Sequence, residues 1–429
     1  MSNSQQPWNS LISRRSALRY ALLASATAAT AASCSKPNEP NTSSSPSTGS
    51  DGPPIKIGVI SPLTGAWTVY GKAHLSGFKM AVDEINAAGG VLGRKLEVVE
   101  GDSKTEPRIV VEQANRLIRQ DNVDFLAGTF SSAERNAAGP VVASANKILL
   151  YPTWYEGQEK EYYPGVCNKN MFMFGPEPTQ QVWPHLEYMI TTFGKKFFMI
   201  GSDYAWPRVT NQVTKQKLKE LGGSVVGEVY IPFNTPQYES VLRDIRAAKP
   251  DIVFHSLTGS DTVNFRKQMH AAGMNKDVVL WTVDDEEVVT SGLGPEVSAG
   301  TYVSFDYFMT IKEPNNKAFL EKFRAKFGQA ALMNTVGVGM YNAAHMVAKA
   351  IQKSGAVNTD AIREGLKGMT FDDAPQGKVT MRADDHQLVL PSYLMKVRAG
   401  WTSVNDMFEE VQSFQAVEPQ PARCKLPLA

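Results

Sequence analysis

Ile55-Lys56-Ile57-Gly58-Val59-Ile60 is a short β-rich run, and the periodicity on its carboxyl side decides the fold. Leu75, Phe78, Ala81, Val82 and Ile85 recur at three- and four-residue spacing, which gathers them on one face of a helix. Gly89-Gly90 and Gly93 punctuate a turn into Lys95-Leu96-Glu97-Val98-Val99, a second strand. The segment Arg108 to Ile118 is helical again, with Val110, Ala114, Leu117 and Ile118 facing inward. It leads to the strand Val123-Asp124-Phe125-Leu126, and a helix around Ala133 to Ala145 leads to Lys147-Ile148-Leu149-Leu150. Strands alternating with helices predict a parallel sheet covered on both faces.

The alternation restarts at Lys196-Phe197-Phe198-Met199-Ile200. Later strands are Ser224 to Tyr230, Asp251-Ile252-Val253-Phe254 and Val278-Val279-Leu280-Trp281, and the helix Tyr238 to Ala248 groups Val241, Leu242 and Ile245. Two such series predict two α/β lobes, and Phe172 to Gln181, with Gly175, Pro176 and Pro178, reads as the first passage between them. After Tyr302 the pattern turns helical: Phe319 to Phe327, then Tyr341 to Ile351, where Met340, Ala344, Val347 and Ile351 share a face. Lys378 to Met381 and Gln387 to Val397 read as closing strands of the second lobe. The expected division is 55–175 with 303–372 in lobe 1, and 176–302 with 373–429 in lobe 2. Repeated passages make a hinge, and a hinge implies closure on a ligand.

The amino terminus carries a different message. Ser13-Arg14-Arg15-Ser16-Ala17-Leu18-Arg19 precedes an apolar run from Tyr20 to Ala32, and Ala31-Ala32-Ser33-Cys34 closes it. A basic start, a short apolar run and small residues before a processing point form an export signal over 1–34, and the paired arginines suit the twin-arginine route. The run falls short of the about 20 apolar residues needed to span a bilayer. Residues 35–54 are almost all Ser, Thr, Pro, Asn and Gly, a disordered tether with a reach of roughly 25 Å. Formal net charge is +1, which gives no electrostatic case for nucleic acid or an anionic membrane. Besides Cys34 only Cys167 and Cys424 remain; in an oxidising compartment they either pair or stay as buried thiols.

In open α/β sheets ligands bind beyond the carboxyl ends of the strands. Those positions hold Gly128-Thr129-Phe130-Ser131-Ser132, Tyr151-Pro152-Thr153-Trp154-Tyr155-Glu156, Gly201-Ser202-Asp203-Tyr204, His255-Ser256-Leu257-Thr258-Gly259 and Thr282-Val283-Asp284-Asp285. Ser131 and Ser132 either cap the following helix or present hydroxyls and helix N–H groups to a carbonyl or carboxylate. Asp284-Asp285-Glu286-Glu287 opens a helix whose dipole favours acids, a role that covers Glu286 and Glu287 and leaves one aspartate for a ligand. Signals for an enzyme are weak. The six histidines are scattered, with no His-Glu-x-x-His and no Cys/His cluster at metal spacing. There is no Gly-x-Ser-x-Gly elbow and no phosphate loop ending in Gly-Lys-Ser/Thr. No catalytic residue, metal or cofactor is expected.

These residues resemble the periplasmic solute-binding proteins of ABC importers, in the leucine/isoleucine/valine-type class and nearest its urea and short-chain amide branch. Ile57-Gly58-Val59-Ile60-Ser61-Pro62-Leu63-Thr64-Gly65 is similar to the opening strand and loop of the class. Tyr151-Pro152-Thr153-Trp154-Tyr155-Glu156-Gly157, Pro178-Thr179-Gln180-Gln181 and Gly201-Ser202-Asp203-Tyr204-Ala205-Trp206-Pro207-Arg208 resemble motifs of the branch. The resemblance runs from about Ile55 to Gly400 and implies a type I periplasmic binding protein: two Rossmann-like lobes with parallel-rich sheets and a multi-strand hinge. The motif before Cys34 resembles a lipoprotein signal with Ala31 in place of the usual Leu, so Cys34 is either the lipid-bearing first residue or an unmodified one. By resemblance the ligand touches Ser131 or Ser132, Tyr151, Thr153 and Tyr155 from the first lobe, and Tyr204 and Asp285 from the second. Asp284-Asp285-Glu286-Glu287 stands where the branch carries Ala-Glu-Glu-Glu, and Glu134-Arg135-Asn136 where it carries Ser-Arg-Lys, both near the cleft.

The function implied is capture of urea or a short-chain amide outside the cytoplasm, in the periplasm or at the outer face of the cytoplasmic membrane, and delivery by a monomer to an ABC permease. A branched-chain or other neutral amino acid is the alternative ligand, and sensing without transport the alternative role.

Overall fold

The computed structural model describes residues 52–65, 67–158 and 167–420. The expected export signal, Cys34, most of the tether and Cys424 lie outside the described residues. Gly52 to Pro54, the end of that tether, is held to the body: Arg94 donates to the Pro53 carbonyl at 2.6 Å. Cys167 is disulfide-bonded, with a partner outside the described residues.

The first sheet contains β1 (Ile55–Ser61), β2 (Leu96–Asp102), β3 (Phe125–Gly128), β4 (Leu149–Tyr151) and β5 (Met171–Met173), in the order β2-β1-β3-β4-β5. Every pairing is parallel. Helices α1 (Thr68–Ala87), α2 (Pro107–Arg119) and α3 (Ser132–Ser144) make its crossovers. Sequence periodicity anticipated all but β5, a three-residue strand that begins the passage out of this half.

That passage runs through α4 (Pro178–Gln181) and α5 (Trp183–Phe193) into the second sheet. Here β6 (Lys196–Ser202), β7 (Ser224–Ile231), β8 (Ile252–Ser256), β9 (Val279–Thr282) and β10 (Tyr302–Phe305) are parallel neighbours in the order β7-β6-β8-β9-β10. Their crossovers are α6 (Ala205–Glu220), α7 (Glu239–Ala248), α8 (Ser260–Ala271) and α9 (Glu287–Ser298). The chain then returns to the first half as α10 (Pro314–Phe327), α11 (Thr335–Ser354) and α12 (Thr359–Leu366). Glu84 of α1 accepts from Tyr341 of α11 at 2.7 Å and pairs with Lys322 of α10 at 3.0 Å. Gly77 of α1 meets Gly337 of α11 so closely that a Cβ on either would strike backbone of the other helix.

The remaining strands, β11 (Thr370–Phe371), β12 (Val379–Met381), β13 (Leu388–Val397) and β14 (Phe408–Val417), extend the second sheet antiparallel beyond β10. Three amides tie the passages together. Gln180 donates to the carbonyls of Leu388 and Val417, Gln181 to those of Val283 and Ser304, and Gln387 to that of Gly175. All three are buried, so each bond replaces water that cannot reach these carbonyls. No described helix is long and apolar enough to cross a membrane.

Candidate functional site

Each parallel series has the strand order 2-1-3-4-5, so each has one switch point where successive crossovers leave on opposite faces and their loops part to form a crevice. In the first half it lies between β1 and β3, and in the second between β6 and β8. The β3 loop is tightly bent: Gly128 has φ 102°, and any Cβ there would strike the Ile60 carbonyl. Thr129 follows with φ 63°, an uncommon value for a β-branched residue, while its N–H donates to Ile60 at 2.7 Å.

This bend delivers Ser131 to the start of α3. Ser131 Oγ accepts from the Glu134 N–H, and Glu134 reaches back to the N–H groups of Phe130 and Ser131 at 2.7 and 3.0 Å, a complete capping box. The N–H groups of Ser132 and Ala133 have no described chain acceptor. Ser132 Oγ is committed to Glu156 at 2.6 Å, and Glu156 is paired with Arg135 at 2.6 Å, all three buried. The Arg135 guanidinium lies 5.1 Å from the Tyr151 ring and 5.3 Å from that of Tyr155. Tyr151 donates to the Phe130 carbonyl at 2.7 Å, and Thr153 to that of Thr129 at 3.4 Å. Tyr155, expected at the ligand, instead donates to Gln387 at 2.6 Å and so belongs to the passage between the halves.

The acidic run at the start of α9 divides into distinct roles. Asp285, the expected ligand carboxylate, is in a buried ion pair with Arg266 and lies 3.5 Å from His255. Burial pushes its carboxyl up, but His255 and Arg266 together hold it below the usual carboxylate range. Arg266 also donates to Thr301 at 2.5 Å and to the Val297 carbonyl at 3.2 Å. Asp284 is the opposite case. It is fully buried, neither carboxylate oxygen has a hydrogen-bond partner, and desolvation, then Asp285 and Glu286, push its pKa well up. Tyr70 and Thr262 pull weakly the other way, though both hydroxyls are themselves buried without a closed hydrogen bond. The indole N–H of Trp206 is a further buried donor without an acceptor. Burial raises the Tyr204 pKa well above its usual value, with smaller pushes from Asp284, Tyr151 and Glu156.

A model described as periplasmic binding protein matches residues 54–401. The chain belongs to that family. The Leu/Ile/Val-binding protein homolog 7 of Brucella suis is 27% identical over 76% of this chain and 83% of its own. The amino acid binding protein of Pseudomonas aeruginosa is 30% identical over 63% of this chain and 72% of its own. A Rhodopseudomonas palustris solute-binding protein of an ABC transporter, solved with p-hydroxybenzoic acid, superposes with a TM-score of 0.76 at 24% identity, over 84% of this chain and 97% of its own, and shows the shared type I fold. Members of the family are extracytoplasmic solute-binding proteins and not enzymes.

In this binding protein a circuit of aromatic rings joins the two halves. From the first half, Tyr70 stacks on Phe130 at 4.7 Å, Phe130 meets Trp67 at 5.2 Å, and Tyr70 meets Trp154 at 5.8 Å. Trp154 meets Trp206 of the second half at 6.0 Å, Trp206 meets Tyr204 at 6.2 Å, and Tyr204 meets Phe233 at 5.4 Å. Phe233 returns to Trp67 at 6.3 Å and closes the circuit. Outside it a groove of about 330 Å³ opens between the halves, lined by Trp67, Ser131, Phe233 and Thr258. Of the residues expected at the ligand, Ser131 lines this groove, Tyr204 belongs to the ring circuit, Ser132, Tyr151 and Thr153 are hydrogen-bonded to neighbours around the β3 loop, and Tyr155 and Asp285 are in internal contacts. Trp154, Trp206 and Asp284 stand in the stretches read from the sequence without being assigned to the ligand, and Tyr70 lies outside those stretches. The loop after β1 that leads to Tyr70 is itself a strand-end loop at the switch point, a signal the other strand ends share.

Proposed function

We propose that this binding protein captures a small neutral amino acid between two lobes, 55–175 with 303–372 and 176–302 with 373–429, and delivers it to an ABC permease. Asp284 carries the reading: a buried carboxylate without a partner calls for a ligand with N–H donors. The free N–H groups of Ser132 and Ala133, at a helix N-terminus, suit the ligand's carboxylate, and the Trp206 indole N–H supplies another donor. The amino acid relatives at 27% and 30% identity support the same class. A benzoate-type anion has no ammonium to offset Asp284. Residues 1–34 are proposed to direct export and 35–54 to tether the body, with Cys34 as lipid anchor.

Thermal unfolding against glycine, alanine, valine, leucine, urea, formamide and acetamide tests the reading. A true ligand at a hundredfold over its Kd should stabilise by about 2.7 kcal/mol. Amino acids are expected to shift the transition and Asp284→Asn to abolish the shift; silence with every amino acid would refute the proposal. A short-chain amide is the second reading, favoured by the raised pKa of Asp284, since a neutral acid suits a neutral ligand. Calorimetry in buffers of different ionisation enthalpy separates the two. An ammonium drives a proton off Asp284 into the buffer, and an amide does not.

A further inference from the structure

The aromatic circuit has chemistry of its own beside Asp284. A primary ammonium offers three N–H donors, and Asp284 supplies two oxygen atoms. Beside it are two hydroxyls, those of Thr262 and of Tyr70, the latter a member of the ring circuit. Any N–H directed at the rings loses a water hydrogen bond and gains no acceptor of comparable strength. A methyl group in its place meets a face that attracts the adjacent positive charge and removes a donor needing desolvation. The rings come from both halves, so the circuit is complete only where Trp154 meets Trp206 and Trp67 meets Phe233.

We propose that the crevice is an aromatic cage for an alkylated ammonium, and that the ligand class is N-methylated amino acids. This rests on the amino acid reading above and sharpens it. The test is the affinity series glycine, N-methylglycine, N,N-dimethylglycine and trimethylglycine by calorimetry, with leucine and alanine in parallel. Affinity is expected to rise at least tenfold from glycine to the best methylated member. The ratio, measured within each protein, should fall toward one in Trp206→Leu and in Trp67→Leu. Trp67 lies part-exposed at the mouth, so its variant keeps the test independent of any folding defect in Trp206→Leu. Equal or falling affinity along the series, with leucine or alanine still bound, would overturn the cage and leave the amino acid reading standing. Failure of every amino acid, methylated or not, would overturn both.

Discussion

Glu286→Gln should flatten the pH dependence of stability. Glu286 caps α9 through the Val288 N–H at 2.6 Å, and its other oxygen accepts from Asn334 at 3.2 Å. Asn334 caps α11 through the Gly337 N–H, so this carboxyl joins the second half to a helix of the first. Burial, against the pull of Val288 and Asn334 and with a push from Asp285, raises its pKa from 4.5 to about 8. The folded protein therefore holds a proton that the unfolded chain releases above pH 4.5. Stability from this group is fully present below that pH and is lost as pH rises to about 8. The slope is about 1.4 kcal/mol per pH unit, with a ceiling of about 5 kcal/mol across the window. The amide of the variant keeps an oxygen for Val288 or Asn334 and cannot ionise. In urea unfolding at about pH 5, 6 and 7, the native protein should lose stability faster than the variant by about 1.4 kcal/mol per unit. Asp306, pushed to about 7 mainly by burial and bonded to Thr335 of α11, adds its own slope to both proteins and cancels in the difference. Parallel pH profiles would refute the reasoning.

Asp285→Asn should cost about 3–5 kcal/mol in the same assay, because it strands the Arg266 charge in a buried site. Asp284→Asn should cost nothing or stabilise, and equal losses in the two variants would contradict this division of roles. Gly77→Ala forces a Cβ against the Gly337 carbonyl and should cost about 1–3 kcal/mol by parting α1 from α11; an unchanged Tm would show that the helices can separate freely.

The two α/β series could be read from the chain because their signal is local. An apolar strand and the helix after it each declare their period within a dozen or so residues, and parallel topology then fixes where every strand end must point. The antiparallel additions were harder. In β14, Phe408–Val417, Glu409, Glu410, Gln412 and Gln415 interrupt the apolar pattern, since the strand covers only one side of β13 and faces solvent along much of its length. Its register comes from β13 and not from its own composition.

The same distinction decides the site. Asp284 and Asp285 are adjacent, chemically identical and both fully buried, so no local pattern ranks them. Their fates separate because α8 places Arg266 beside β9, where it reaches Asp285 and anchors itself to Thr301 and the Val297 carbonyl. That pair satisfies one charge internally and leaves the other facing Tyr70 across the crevice. Buried polar groups without partners are rare in folded chains, and here Asp284, Tyr70, Thr262 and Trp206 are all such groups. Tyr70 comes from the first half and the other three from the second, so no one half contains the site. On the proposed reading, a ligand that satisfies them bridges the two halves, so its affinity would be linked to their closure. Sequence alone points to the aspartate that is ion-paired with Arg266, and the proposed ligand role falls to its neighbour, which Arg266 leaves unpaired.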